Sequence, residues 1–213
     1  MRRIALTALV TLVVVSAGCT GLLTDDTVAF DADEASVSDS ALDSTGYEGT
    51  NSTEQTIQRN VSVGGEERTI RITNHYAVYA RSGTVDGVET PEMAQFVVFS
   101  SPGAEIANQT LNPVAQLSNR QLVERVSDRT GGVSDVAFVE NRTAEALGSE
   151  RAVGVFSGTT TVGGEEIDVR IHVTNFEHES DVIVAVGVHP AEVAETENVD
   201  ELLAGIEHSG DED

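Results

Sequence analysis

RIHVTNFEHESDVIVAVGVHP, Arg170 to Pro190, sets two runs rich in Val and Ile on either side of a polar Glu179-Ser180 pair. Its period of two reads as an antiparallel hairpin. With Glu179 and Ser180 at the turn, Arg170 faces His189 and His172 faces Gly187. Successive side chains of a strand alternate between faces, so Val169, Ile171, Val173, Val184, Val186 and Val188 share one, and Arg170, His172, Ala185 and His189 share the other. A hairpin with one apolar face has to lay that face on a core, which makes a sheet the centre of the fold.

The same alternation recurs along the chain. In IRITNHYAVYA, Ile70, Ile72, Tyr76, Val78 and Ala80 take one parity, with Thr69, Arg71, Thr73, His75 and Tyr79 on the other. Further strands are predicted at 55–63, 95–100, 136–142, 151–162, 167–176 and 182–188. VSVGGEERTIRI (61–72) and TTVGGEEIDVRI (160–171) repeat the VGGEE turn, and paired glycines supply the positive φ of tight hairpins. The pairs of Glu that follow read as solvated turn carboxylates, since no Asp-rich calcium loop surrounds them. Ser118 with Gln121 forms a capping box for a helix over 119–129 with Leu122, Val123 and Val126 inward. Asn198 with Glu201 does so for 199–208, with Leu202, Leu203 and Ile206 inward. A third short helix fits 38–45 before Gly46. These elements predict an α+β fold: an antiparallel sheet of six or seven strands with two or three helices packed mainly on one face.

Upstream, Arg2 and Arg3 precede an apolar run from Ile4 to Val15 and the small residues Ser16, Ala17 and Gly18, the parts of an export signal ending at Cys19. A dozen residues make a helix of about 18 Å, too short for a hydrocarbon core of about 30 Å. The small residues before Cys19, the one cysteine of the chain, look like a lipobox, with Ser16 where an aliphatic is usual. The expectation is a cleaved signal over 1–18, a lipid on Cys19, a flexible acidic tether over 19–46, and one outward-facing domain over 47–213 without a disulfide. The adjacent arginines are compatible with either twin-arginine or general export.

Of 213 residues, 36 are acidic and 12 basic, giving a formal charge of −24, and every basic residue is arginine. Such a surface repels nucleic acid. Absence of lysine with scattered carboxylates and few aromatics points to a salt-loving organism and a fold that needs salt, where the Debye length shrinks to about 3 Å.

Zinc-protease HExxH, nucleophile-elbow GxSxG, phosphate-loop and dinucleotide motifs are absent from the sequence, so no catalytic residue, metal ligand or cofactor is assigned. One cross-strand cluster stands out: Arg170, His172 and His189 beside Gly187. It could take an anion or form half of a metal site, although the arginine disfavours a cation. Its alternative reading is a solvated outer face. His75 with Tyr76 and Tyr79 is a second group, readable as a recognition surface or as core plus surface strand. Asn51, Asn60, Asn108 and Asn141 each open an Asn-X-Ser/Thr sequon that export would present to glycosylation.

SAGC at 16–19, STGYE at 44–48, LNP at 111–113, SNRQLVERV at 118–126, FSGT at 156–159 and VAVGVHP at 184–190 together resemble a family of haloarchaeal lipoproteins known as a domain of unknown function. The resemblance implies halophily and lipid anchoring and brings no activity. The order of elements is also similar to the Mog1 and photosystem-protein-P fold, whose members serve mainly as binding or assembly modules. The expectation is a binding or envelope interaction module, held to the cell membrane through Cys19, with a protein or small-molecule partner. A hydrolase-like enzyme around His172 and His189, or a purely structural envelope component, are the alternatives.

Overall fold

The computed structural model describes residues 27–212 except 64, 86–87, 107–108, 111, 131 and 163. The signal segment, Cys19 and Asn108 lie outside the described residues. In chain order the strands are β1 (Thr27–Asp31), β2 (Ala35–Val37), β3 (Glu48–Val63), β4 (Glu66–Val85), β5 (Val88–Pro102), β6 (Glu105–Ile106), β7 (Gln109–Thr110), β8 (Ser134–Ala146), β9 (Ser149–Val162), β10 (Glu165–His178), β11 (Asp181–Pro190) and β12 (Ile206–His208). The helices are α1 (Asp39–Thr45), α2 (Asn119–Thr130) and α3 (Thr196–Ala204).

The hairpin of β10 and β11 turns at Glu179-Ser180 and has the expected register, Arg170 opposite His189 and His172 opposite Gly187. Both VGGEE segments make tight hairpins, β3 with β4 and β9 with β10, with Gly65 at φ 90° and Gly164 at φ 95°. The Ser118 and Gln121 capping box forms reciprocally: Gln121 Oε1 accepts from the Ser118 N–H at 2.9 Å and Ser118 Oγ from the Gln121 N–H at 3.4 Å.

The expected class needs correction. Among the described residues the chain is mostly β, with three short α-helices, and its main sheet is mixed rather than antiparallel. Eight strands run in the order β1-β4-β5-β11-β10-β9-β8 with β3 also on β4, and β1 joins β4 in parallel. Helices cover both faces. On one, α1 and α3 bring Ala41, Val199, Leu202 and Leu203 onto Phe96, Val98, Ile183 and Ala185. On the other, Leu122 and Val123 of α2 meet Phe156, Ile171, Val173, Val182 and Val184; the side chain of Val126 is outside the described ones. The reason lies in β11, whose Ile183 and Ala185 are as deeply buried as Val182 and Val184. A central strand buried on both sides has to be covered on both sides.

Two boundaries also move. Thr27 to Gly46, expected within the tether, form β1, β2 and α1. Val28 and Phe30 pack on Ile70 and Ile72, and Ala35 and Val37 are buried. The final helix spans Thr196 to Ala204 instead of 199–208, because Ile206–His208 peel away to pair with Ala35–Val37. Its N-cap is Glu195, and Asn198 donates back to the Glu195 carboxylate at 2.9 Å.

Candidate functional site

Strand alternation sends His172 and His189 to the α3 face, where both are 3% exposed. The solvated reading of this pair is therefore corrected. Their Nε2 atoms are 3.1 Å apart and the rings stack at 5.2 Å. Gly187 opposite His172 lets α3 close over them, since a Cβ there would sit 3.1 Å from Val199 Cγ2. The tautomers follow from the neighbours. The Pro190 carbonyl, 2.8 Å from His189 Nδ1, only accepts, so that nitrogen carries the proton. Arg142 only donates, and its guanidinium lies 3.2 Å from His172 Nδ1, which must accept. His172 Nε2–H then donates to His189 Nε2, and the chain of hydrogen bonds closes with both rings neutral.

Electrostatics agrees with that assignment. Burial first, then Arg142, His189 and Arg170, pull the His172 pKa down to about 3. Burial likewise lowers His189, with Arg170 and Arg81 adding to it against the Pro190 bond. A metal at Nε2 would require His172 to move its proton to the nitrogen that faces a guanidinium. The arrangement is thus a sealed, self-satisfied pair whose work is to hold β10, β11, β8 and α3 together. Arg142 of β8, itself paired with Asp200 of α3, belongs to the cluster; its place comes from the β8–β9–β10 order, which no local pattern reveals. Beside it, Glu195 is fully buried, pairs with Arg81, and accepts from Tyr47 Oη at 3.3 Å. Burial pushes the Tyr47 phenol up to about 12, with Arg81 opposing.

The second group divides across the sheet. Tyr79 lies in the α3 core, where its hydroxyl accepts the Val37 N–H at 2.8 Å, and burial raises its pKa. Tyr76 packs on Phe99 at 4.6 Å on the opposite face, and His75 is half-buried on the Tyr79 parity. Asn51, Asn60 and Asn141 are all exposed.

Tyr76 marks the concavity that local patterns missed. A pocket of about 260 Å³ lies between the sheet and the 3-10 turn at Val114–Gln116 with α2. Its walls are apolar, among them Ile72, Val97, Phe99, Leu117, Leu122 and Val184, and the exposed Arg59 and Arg125 also line it. At its polar end, Ser101 Oγ donates to Asn74 at 2.6 Å and accepts from Asn112 at 2.8 Å. Asn112 in turn accepts the Val114 N–H at 2.9 Å, and Asn175 donates to the Leu117 carbonyl at 2.6 Å, so the roof is tied to the sheet at two places. Asn74, Ser101 and Asn112 are all buried, which preorganises the cavity. Among the described residues a separate His/Asp/Glu group, Asp33, Asp181 and His208, has the spacing to hold a metal ion.

Residues 34–207 match the model of a family described as "Domain of unknown function (DUF6517)". No curated protein matches the sequence. A similar solved structure is the solution structure of cyanobacterial PsbP (CyanoP) from Synechocystis sp. PCC 6803, at 11% identity and a TM-score of 0.37, covering 85% of this chain and 95% of that one.

Proposed function

The chain belongs to this DUF6517 family, and from there we propose that it is a lipid-anchored, outward-facing binding module of a halophilic archaeon's envelope that takes a small amphiphile. The observation that carries the ligand class is the pocket under α2: apolar walls for a hydrocarbon body, and Arg59 and Arg125 for an anionic end. In a chain with three times as many carboxylates as arginines, two arginines on one pocket are a local reversal of charge that favours carboxylate, sulfonate or phosphate. An enzyme centred on His172 and His189 lacks support, because both rings are consumed by hydrogen bonds beneath α3.

Titration with anilinonaphthalene sulfonate, an apolar dye with one anionic group, tests the reading in about 2 M potassium chloride, where screening offsets self-repulsion. The folded protein is expected to bind one dye, displaceable by medium-chain carboxylates. Arg59→Gln with Arg125→Gln should weaken binding about tenfold, on the order of 1 kcal/mol or less for each exposed contact. Filling the pocket with Leu122→Trp should abolish binding. Dye binding that ignores all three substitutions would end the proposal.

Anchoring rests on the sequence at 1–19. Among the described residues no helix is long and apolar enough to cross a membrane, and a two-chain lipid on Cys19 would hold the domain at the surface. Cys19→Ser is expected to move the protein from the membrane fraction to the medium. Unchanged retention would remove the lipid anchor from the account.

A further inference from the structure

Three segments far apart in the chain meet at one edge of the molecule: the loop after β1 at Asp33, the β10–β11 turn at Glu179, and the end of β12 at His208 with Gly210 just beyond. Asp181, 1% exposed, organises them. Its Oδ2 accepts the Asp33 N–H at 2.7 Å, the Ser100 hydroxyl at 3.3 Å and the His208 Nε2–H at 3.0 Å. A carboxylate fixed in this way sets the histidine tautomer and leaves the imidazole lone pair on Nδ1. His208 is 3% exposed, and among the described residues its Nδ1 finds no hydrogen-bond partner; neither does Asp181 Oδ1.

That nitrogen does not face apolar packing. His208 Nδ1, Asp33 Oδ2 and Glu179 Oε2 lie 3.1, 3.0 and 2.5 Å from the single point at which Gly210 would carry a Cβ. Glycine keeps open the space on which an imidazole nitrogen and two carboxylates converge. One ligand atom from each of Asp33, Asp181 and His208 also falls within 4.8 Å of the others. His208 lines an open groove of about 450 Å³ with Glu34, Glu207 and Ser209, which gives an ion an acidic approach. Convergent carboxylates repel one another, and a buried lone pair without a donor is costly. A cation satisfies both.

We propose that this is a divalent transition-metal site in which Nδ1 of His208 and the carboxylates of Asp33 and Glu179 are the protein ligands and Asp181 orients the imidazole from behind. One nitrogen with two carboxylates suits Zn²⁺, which takes few ligands of mixed type, better than Ca²⁺, which prefers six to eight oxygens, or Mg²⁺. The ion would clasp the loop after β1 to the segment after β12, two places 175 residues apart that already share the bond from the Glu34 N–H to Ser209 Oγ. The site is independent of the pocket under α2.

The test uses the full chain, stripped with chelator and titrated calorimetrically with Zn²⁺, Mn²⁺, Ca²⁺ and Mg²⁺ in potassium chloride, with thermal unfolding and the visible spectrum of a Co²⁺ form alongside. One equivalent of Zn²⁺ should bind at least tenfold more tightly than Ca²⁺ or Mg²⁺ and raise the unfolding midpoint, and the Co²⁺ spectrum should report nitrogen and oxygen ligation. Asp33→Asn and Glu179→Gln alter exposed side chains, so they keep the fold; each should weaken Zn²⁺ at least tenfold. Gly210→Ala should block the site. A cluster held merely by a protonated His208 would show no cation dependence. That result, or Zn²⁺ binding unchanged in Asp33→Asn and Gly210→Ala, would overturn the proposal.

Discussion

Replacing Glu195 by alanine is expected to lower the unfolding free energy by about 3 kcal/mol, the lower end of what breaking a buried ion pair costs. Glu195 is 0% exposed and answers Arg81, whose side chain retains 28% of its accessibility. That partial exposure is what holds the loss down. The carboxylate also receives Tyr47 and Asn198, and its backbone carbonyl takes the Val199 N–H at 2.9 Å, the first bond of α3. Truncation strands a guanidinium and a phenol together beneath the helix. Urea unfolding at fixed salt measures the effect. The diagnostic companion is Arg81→Met with Glu195→Leu, which removes both charges and should recover most of the loss. A loss below about 1 kcal/mol for Glu195→Ala would mean that water already screens the pair.

Acid should unfold the protein through His172 and His189. The folded pKa of His172 is about 3 against 6.5 for the free side chain, and that of His189 is also lowered. The unfolded chain therefore binds protons that the folded one refuses. Stability from His172 is complete above about pH 6.5 and drains as the pH falls toward 3, at about 1.4 kcal/mol per pH unit, and the lowered His189 adds a loss of the same sign below about pH 6.5. For His172 the whole span amounts to about 5 kcal/mol. Acid also relieves repulsion within a chain of −24 formal charge, so the histidine effect is read as a difference. Between pH 6 and 4, His172→Gln should lose stability less steeply than the parent by about 1.4 kcal/mol per unit. Parallel curves would show that His172 protonates without hindrance.

What could be read from the sequence was local. The Glu179-Ser180 turn fixed every partner in β10 and β11, and Ser118 with Gln121 marked the start of α2, because each depends on neighbours a few residues away. The two-sided burial of β11 was not legible. Ala185, Gly187 and His189 form a polar-looking parity that becomes interior only when α3 lies over it. The parallel partner of β1 lies more than 40 residues downstream, and no periodicity in TVAFD names it. The pocket fails for the same reason: Asn74, Ser101 and Asn112 are ordinary strand and loop residues until the β4–β5 hairpin and the segment ahead of α2 bring them into hydrogen-bonding distance. The Arg170, His172 and His189 neighbourhood was found correctly, while its burial was not, since burial depends on Arg142 and Asp200 from other elements.

The pairing of Ala35–Val37 with Ile206–His208 has a consequence for the order in which the chain can be made and closed. Contacts between residues some 170 positions apart are slow to form, because the loop they close has to be ordered before they contribute. A polypeptide leaving the ribosome from its N-terminus holds Ala35–Val37 without this partner strand until residues 206–208, some 170 positions later, have emerged. Delivery across a membrane as a growing thread and delivery as a finished domain would therefore leave this edge exposed for very different times, and a chaperone that shields short apolar strands would matter only for the first.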